Sequence, residues 1–413
     1  MKKILTIFFL CFFIVNIHSQ EIIVCKECKL NSIQKGVNIA KSHDTIYIKK
    51  DIYLEHDLII DKPITIIGNG STLDAEFKGG GLNINTDSIF ITNLIINNIK
   101  SSYTKDIAGV YAYDVSCFIF ERIEFNHPFF AFLIQRSNNG IIRNNTINGN
   151  AIDEISSGNG IHLWKSEDIE IYENTISKMR DGIYLEFVEN SIIYSNISRN
   201  QIRYGLHFMF SNNNSYKHNI FEKNSAGVAV MFSRNIVMEN NTFKKNWGTC
   251  SYGLLLKEIY DAKISNNLFD NNTIGINAEG STRVSYYNNI FKENGWAVKI
   301  TGGCFDNIFY TNDFLNNTFD ISYQGRQNGN RFNGNYWTNY TGYDLDKNGI
   351  GDIPYRPVKL FSYIVNRTPE TIILHRSLFV DIINFSEKVS PIFTPKELQD
   401  LEPVLKQINH DYN

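Results

Sequence analysis

Three constellations in the sequence carry residue types suited to chemistry. Cys25 and Cys28 stand three apart, a spacing that suits a local disulfide, thiol exchange or a thiophilic metal. His207, Met209 and Met231 offer one imidazole and two thioethers, a donor set compatible with Cu(I). Asp344, Asp346, Asn348 and Asp352 fall at positions 1, 3, 5 and 9 of a calcium-type loop, with Gly349 at position 6 for the turn. Position 12 is Tyr355 instead of a bidentate carboxylate, so an Asp/Asn-rich β-turn segment is the competing reading.

A repeat supplies the framework that must position these groups. A small residue followed by an apolar alternation recurs at Gly160, Gly182, Gly205, Gly227, Gly253, Gly275 and Ala297, at separations of 22, 23, 22, 26, 22 and 22 residues. So regular a period predicts stacked coils, each burying its apolar face only because its neighbours cover it. Before most anchors a second phrase sets Asn two residues ahead of Phe: Asn219 and Phe221, Asn241 and Phe243, Asn267 and Phe269, Asn289 and Phe291, Asn312 and Phe314. Asn tolerates the left-handed backbone of a tight corner, and stacked amides can hydrogen-bond from coil to coil. The Phe fills the interior. The expected fold is all-β, a right-handed parallel β-helix with an N-terminal helical cap and a C-terminal α-helical tail. About a dozen coils should run from Thr45 to Tyr323.

Side chains alternate along a strand, so residues one, three and five after each anchor should point inward. That set is apolar: Ile161 and Leu163; Ile183, Leu185 and Phe187; Leu206, Phe208 and Phe210; Val228, Val230 and Phe232. Outward, one column stacks His162, Tyr184, His207, Ala229 and Leu255, beside a column of Trp164, Glu186, Met209, Met231, Lys257 and Glu279. A soft, aromatic stripe is unusual on an exposed wall. It suits residues packed beneath a covering loop, a docking face that includes His162 and Trp164, or metal ligation by His207, Met209 and Met231. Polysaccharide chemistry needs paired carboxylates, or a carboxylate cluster with calcium and an arginine base, on adjacent rungs. Glu186 instead stands between Trp164 and Met209, and Asp153, Glu154 and Asp181 lie near corners. No catalytic residue is assigned.

Lys2 and Lys3 followed by the apolar run from Ile4 to Val15 read as a signal peptide over residues 1–20, which places the mature chain outside the cytoplasm. A net charge of −3 without a Lys/Arg stripe gives no footprint for nucleic acid. The remaining spans are an N-terminal cap over 21–44, the β-helix over 45–325, a C-terminal cap with the Asp/Asn loop over 326–360 and a helical tail over 361–413. Helical apolar spacing in Ser32 to Ala40 supplies the first lid. Thr368-Pro369-Glu370 and Thr394-Pro395-Lys396-Glu397 each set Thr at an N-cap and Pro at the first helical position, predicting two helices. The first, from Pro369 to about Val389, is apolar round most of its circumference and includes Ile373, Leu378, Phe379 and Ile382, a surplus that calls for a partner. Removing residues from Pro369 onward should leave the β-helix folded and abolish partner capture.

The phrases GNGIHLW, RDGIYLEF, RYGLHFMFSN, AGVAVMFS, SYGLLLKE, INAEGS, GNYW, GYDLD and PYRPVKLF, in order from about Gly158 to Val365, resemble the NosD family of nitrous oxide reductase maturation. The resemblance covers half of the chain, and the ordered series is far more specific than any single phrase. It implies a non-catalytic periplasmic component held on an ABC transporter, an ATPase plus a permease, that helps load copper into nitrous oxide reductase for its copper-sulfur centre. It implies further that the C-terminal helices dock on the permease, which gives peripheral membrane association. The outer stripe would meet a copper chaperone or the reductase. Cys25 and Cys28 fall outside the matching phrases and inherit no role. A carbohydrate-binding or carbohydrate-processing β-helix is the alternative, in which oligosaccharide binds and no transporter is recovered.

Overall fold

The computed structural model describes residues 19–102, 104–324, 329–390 and 398–408. The signal segment up to residue 18 and the phrase Thr394 to Glu397 lie outside the described residues. The strands form a parallel β-solenoid in which one wall is a sheet of 12 strands, one per coil, from Leu58–Ile60 to Phe319–Gln324. The other walls belong to one sheet of 25 strands. Pairing extends past both ends of the span read from sequence: Glu21–Val24 already pairs with Thr45–Ile48, and Tyr336–Trp337 pairs with Asp313–Leu315. The solenoid makes about 14 turns.

The repeated glycine has a steric cause. A Cβ placed on Gly205 would lie 2.5 Å from the carbonyl oxygen of Gly227 in the next coil, and one on Gly227 would lie 2.5 Å from that of Gly253. Inside, Phe221, Phe243, Phe269, Phe291 and Phe314 stack face to face at 4.6–5.5 Å, and Trp337 closes the row 4.1 Å from Phe314.

The asparagines form a buried ladder. The side-chain oxygen of Asn267 accepts from the backbone N–H of Asn241 at 2.8 Å and from its Nδ2 at 3.0 Å, and the same pattern links Asn145, Asn174, Asn196, Asn219, Asn241, Asn267, Asn289, Asn312 and Asn335. The left-handed backbone expected of these residues sits instead on the residue before each, including His218 at φ 54°, Asn266 at φ 55° and Thr311 at φ 53°. Corner and ladder are therefore separate tasks for neighbouring positions. The ladder ends on a carboxylate: Asp400, fully buried, accepts from Asn335 N, Asn335 Nδ2 and Trp337 Nε1 at 2.9–3.0 Å.

The N-terminal lid is helix α1 (Ile33–Ile39), whose N-cap Ser32 accepts from Lys35 N while Glu55 accepts from Ile33 N and Gln34 N. The C-terminal tail departs from the single helix expected between Pro369 and Val389. It comprises α2 (Leu360–Arg367), a 3-10 turn (Pro369–Leu374) and α3 (Leu378–Val389), broken at Arg376, which takes φ 67°, and restarted by Ser377 as N-cap. Thr368 makes no side-chain cap hydrogen bond.

Asp320, buried at the end of the 12-stranded wall, gives one pH-dependent prediction. Burial raises its carboxyl pKa to about 6, against the lowering effects of Lys359, Asn339, Asn317 and Tyr355. An unfolded Asp titrates near 4 (about 3.9), so the folded state binds the proton more tightly. The resulting stabilisation is present below pH ~4 and is lost as pH rises through about 6, on the order of 2–3 kcal/mol in all. Urea unfolding across pH 4 to 7 should show Asp320→Asn gaining on the wild type by that amount as pH rises; parallel curves would refute the assignment.

Candidate functional site

The alternation that builds the wall fails at its edge. Phe187, Phe210 and Phe232, expected inside, take φ 51–54° and turn their rings outward, leaving Phe187 and Phe210 44% and 43% exposed. A left-handed residue ends the two-residue alternation, so its side chain leaves the face that sequence counting assigns to it. The three rings stack at 5.3 and 5.0 Å and line a groove of about 550 Å³ with Arg136 and Lys165 at one end. Trp164 is half-buried, with Lys165 Nζ 4.5 Å from its ring centre.

On the wall itself His162, Tyr184 and His207 stack with ring centres 4.7 Å apart at each step, and the Tyr204 ring meets His207 edge-on at 4.8 Å. Beside this column, and missed from sequence, lies a buried ionic cluster. Arg203 donates through Nε to Asp181 Oδ1 at 2.8 Å and through Nη2 to Oδ2, and Asp181 Oδ2 stands 3.4 Å from His207 Nδ1. Burial alone would raise the Asp181 carboxyl, but hydrogen bonds from His207 and Arg203 and the charge of Arg203 outweigh it and hold the pKa below the usual value. Arg180 bonds Asn159 Oδ1 at 3.2 Å through Nε. Burial lowers the His162 pKa to about 4, with Arg180 adding to the effect, so this imidazole is neutral near pH 7. The sequence signal was Arg two residues before an anchor in successive coils, Arg180 and Arg203, with Asp181 between them in space.

His207 is 4% exposed, and its Nε2, like that of His162, is buried without a hydrogen-bond partner. Met209 and Met231 are register partners on adjacent strands and half-buried. An orphaned imidazole nitrogen on the same strand as one thioether, with a second thioether one rung on, offers donor types that suit a soft cation. Among the described residues no three His, Cys, Asp or Glu side chains are placed to hold one metal ion. Asp344 gives its oxygens to the N–H groups of Asn348 and Gly349, and Asp352 accepts from Leu345 N, so these carboxylates brace their own loop together with Asp346 and Asn348. Cys25 and Cys28 form a disulfide, which corrects their inclusion among the metal ligands: a disulfide has no thiolate to offer. Cys117, Cys250 and Cys304 are free.

The tail lies along the 12-stranded wall. Phe361 and Val365 of α2 and Val380 of α3 cover Ile274, Trp296 and Phe319 of that wall. The opposite side is bare: Ile373 is 86% exposed, Leu378 75%, Phe379 58%, Ile382 55% and Phe385 68%. Deleting everything from Pro369 onward would also remove Asp400 and so uncap the asparagine ladder. The deletion expected from sequence to leave the β-helix intact therefore cannot separate docking from folding. No described helix is long and apolar enough to cross a membrane.

Residues 143–342 match the family described as periplasmic copper-binding protein (NosD), and residues 80–201 match a right-handed β-helix region. The chain is 26% identical over 113 residues to the probable ABC transporter binding protein NosD of Stutzerimonas stutzeri, a stretch covering 27% of this chain and 26% of that protein. Just under half of the chain is thus similar to the NosD family. The 113-residue match spans about a quarter of the curated NosD relative, and the family match over residues 143–342 contains the buried cluster, the thioether pair and the ladder from Asn145 to Asn335. Among solved structures, the catalytic domain of a GH87 alpha-1,3-glucanase superposes with a TM-score of 0.55 at 13% identity, covering 76% of this chain and 68% of that one. The family 28 exopolygalacturonase of Yersinia enterocolitica gives 0.52 at 11% identity, covering 76% of each chain. At such identities they share with this chain the β-helix fold alone.

Proposed function

We propose that this protein is a non-catalytic periplasmic accessory of nitrous oxide reductase maturation, working with an ABC transporter, permease and ATPase, in assembly of the copper-sulfur centre. Copper is cargo in this reading, received from a chaperone and passed on, so a transient site suits it better than a closed one. The observation that carries the reading is the two-sided tail. One side of α2 and α3 is anchored on Ile274, Trp296 and Phe319, while Ile373, Leu378, Phe379, Ile382 and Phe385 face away. An exposed apolar surface on a tail anchored to the wall supports docking on a membrane-embedded partner.

The test leaves Asp400 in place. Leu378→Ser, Phe379→Ser, Ile382→Ser and Phe385→Ser combined should leave far-UV circular dichroism and the melting temperature unchanged. Recovery of the permease and ATPase from detergent-solubilised membranes should fall by at least about tenfold. Undiminished recovery would overturn docking through this face. Oligosaccharide binding without any transporter recovery by the wild type would replace the reading with a carbohydrate one.

A further inference from the structure

We infer that Asp181, locked by Arg203, is the positioning residue that makes His207 Nε2 the imidazole ligand of a soft monovalent cation site completed by Met209 and Met231. The inference deepens the proposed copper-handling role and rests on it. Four wall positions form a lattice two strands wide: His207 and Met209 on one rung, Ala229 and Met231 on the next. Rungs lie about 4.8 Å apart and same-face neighbours along a strand about 6.6 Å apart, distances that two flexible thioethers and an imidazole can converge across. The fourth corner is Ala229, which brings neither a donor nor bulk to the lattice.

Asp181 decides which nitrogen is available. Arg203 uses Nε on Oδ1 and one Nη2 N–H on Oδ2, and the carboxylate stands nearer to His207 Nδ1, at 3.4 Å, than the guanidinium does, at 3.5 Å. A carboxylate at Nδ1 calls for the Nδ1–H tautomer, leaving the lone pair on Nε2. The two ring nitrogens diverge across the imidazole. With Nδ1 turned to Asp181 at the start of the strand, Nε2 is turned away from that carboxylate. That nitrogen is the buried one with no partner. Neutral thioethers and imidazole favour Cu(I) over harder divalent ions, and Asp181, its charge already matched by Arg203, acts by orienting the ring rather than by coordinating the cation.

The probes are Cu(I), titrated anaerobically against a competing chelator, and redox-inert Ag(I), each with the full mature chain. The wild type should bind one equivalent, with 15N chemical shifts reporting the Nδ1–H tautomer of His207 before addition and a shift at Nε2 after it. Met209→Leu with Met231→Leu, which leaves Asp181 untouched, should abolish binding. Asp181→Asn keeps every ligand and should weaken it about 10- to 100-fold while populating the Nε2–H tautomer. An Nε2–H tautomer in the wild type, or Ag(I) affinity indifferent to the thioethers, overturns the site. Transporter recovery by the same variants separates the two levels: unchanged recovery with failed titration sinks the site alone, whereas failed recovery by the wild type removes the reading beneath it.

Discussion

Asp400→Ala is expected to destabilise the protein by about 3–5 kcal/mol, with the loss concentrated in the last coils. Inside the solenoid each ladder Asn finds its acceptor in the next coil, but Asn335 has no next coil. Asp400 supplies the missing oxygen from 65 residues further along, and its second oxygen accepts from Gly334 N at 3.0 Å. Truncation leaves the N–H groups of Gly334 and Asn335, one N–H of the Asn335 amide and the Trp337 indole without an acceptor, at about 1–3 kcal/mol each before local relaxation, while the amide keeps Phe309 O at 3.0 Å. Fraying of the terminal coils limits the total, since each coil interacts only with its neighbours. Asp400→Asn keeps an acceptor oxygen in place and should lose only about 1–2 kcal/mol. Urea unfolding measures the totals, and hydrogen exchange should show the loss of protection between Asn312 and Trp337. An alanine variant within about 1 kcal/mol of wild type would show that the carboxylate is not a cap.

The second large effect is expected in mid-ladder, at Asn267→Ala. This amide is fully buried, accepts from Asn241 N and Nδ2, and donates through Nδ2 to Met238 O and Ser265 O at 2.9 Å and to Asn289 Oδ1 at 3.0 Å. Alanine removes all of these and leaves a cavity too small and too polar to stay satisfied, for a loss of about 3–4 kcal/mol. Its position matters as much as its size. A break at one end frays coils, whereas a break in the middle weakens the coupling between two halves that are each long enough to persist. Calorimetry should therefore resolve two transitions where the wild type gives one, and a single sharp transition at lowered temperature would argue that coupling runs through the aromatic stack instead.

Much of the fold was legible because its determinants are local and repeated. The anchor glycines announce a carbonyl approach that no Cβ tolerates, and Asn and Phe two residues apart announce the ladder and the interior stack. Phe187, Phe210 and Phe232 were misplaced for a physical reason: counting in twos presumes extended backbone, and nothing in a phenylalanine signals that it will adopt a left-handed corner. The tail was half legible. Its apolar surplus was plain, but the break at Arg376 depends on Ser377 capping a new helix, and contact with Trp296 and Phe319 is a tertiary fact. The candidate site divides the same way. His207, Met209 and Met231 follow from column counting, whereas Asp181 near a corner looks like solvent-facing charge until Arg203 of the next coil closes on it. Asp400 offers no pattern for its capping role, since the ladder-end groups it accepts from are 63 to 66 residues away.

The ladder also runs in one direction. Every rung presents its backbone N–H and one Nδ2–H toward the C-terminal end and its side-chain oxygen toward the N-terminal end, while the other Nδ2–H turns back to a carbonyl of the preceding coil, so the oriented rung-to-rung bonds add along the axis as they do in a helix. The cylinder is thus electrically polar, with its positive pole at the coil that Asp400 seals. A fixed anion at that pole neutralises the field and occupies the one place where a second molecule could continue the series. The same carboxylate that completes the fold therefore terminates it, and end-to-end growth into fibres is blocked at that pole by charge as well as by shape.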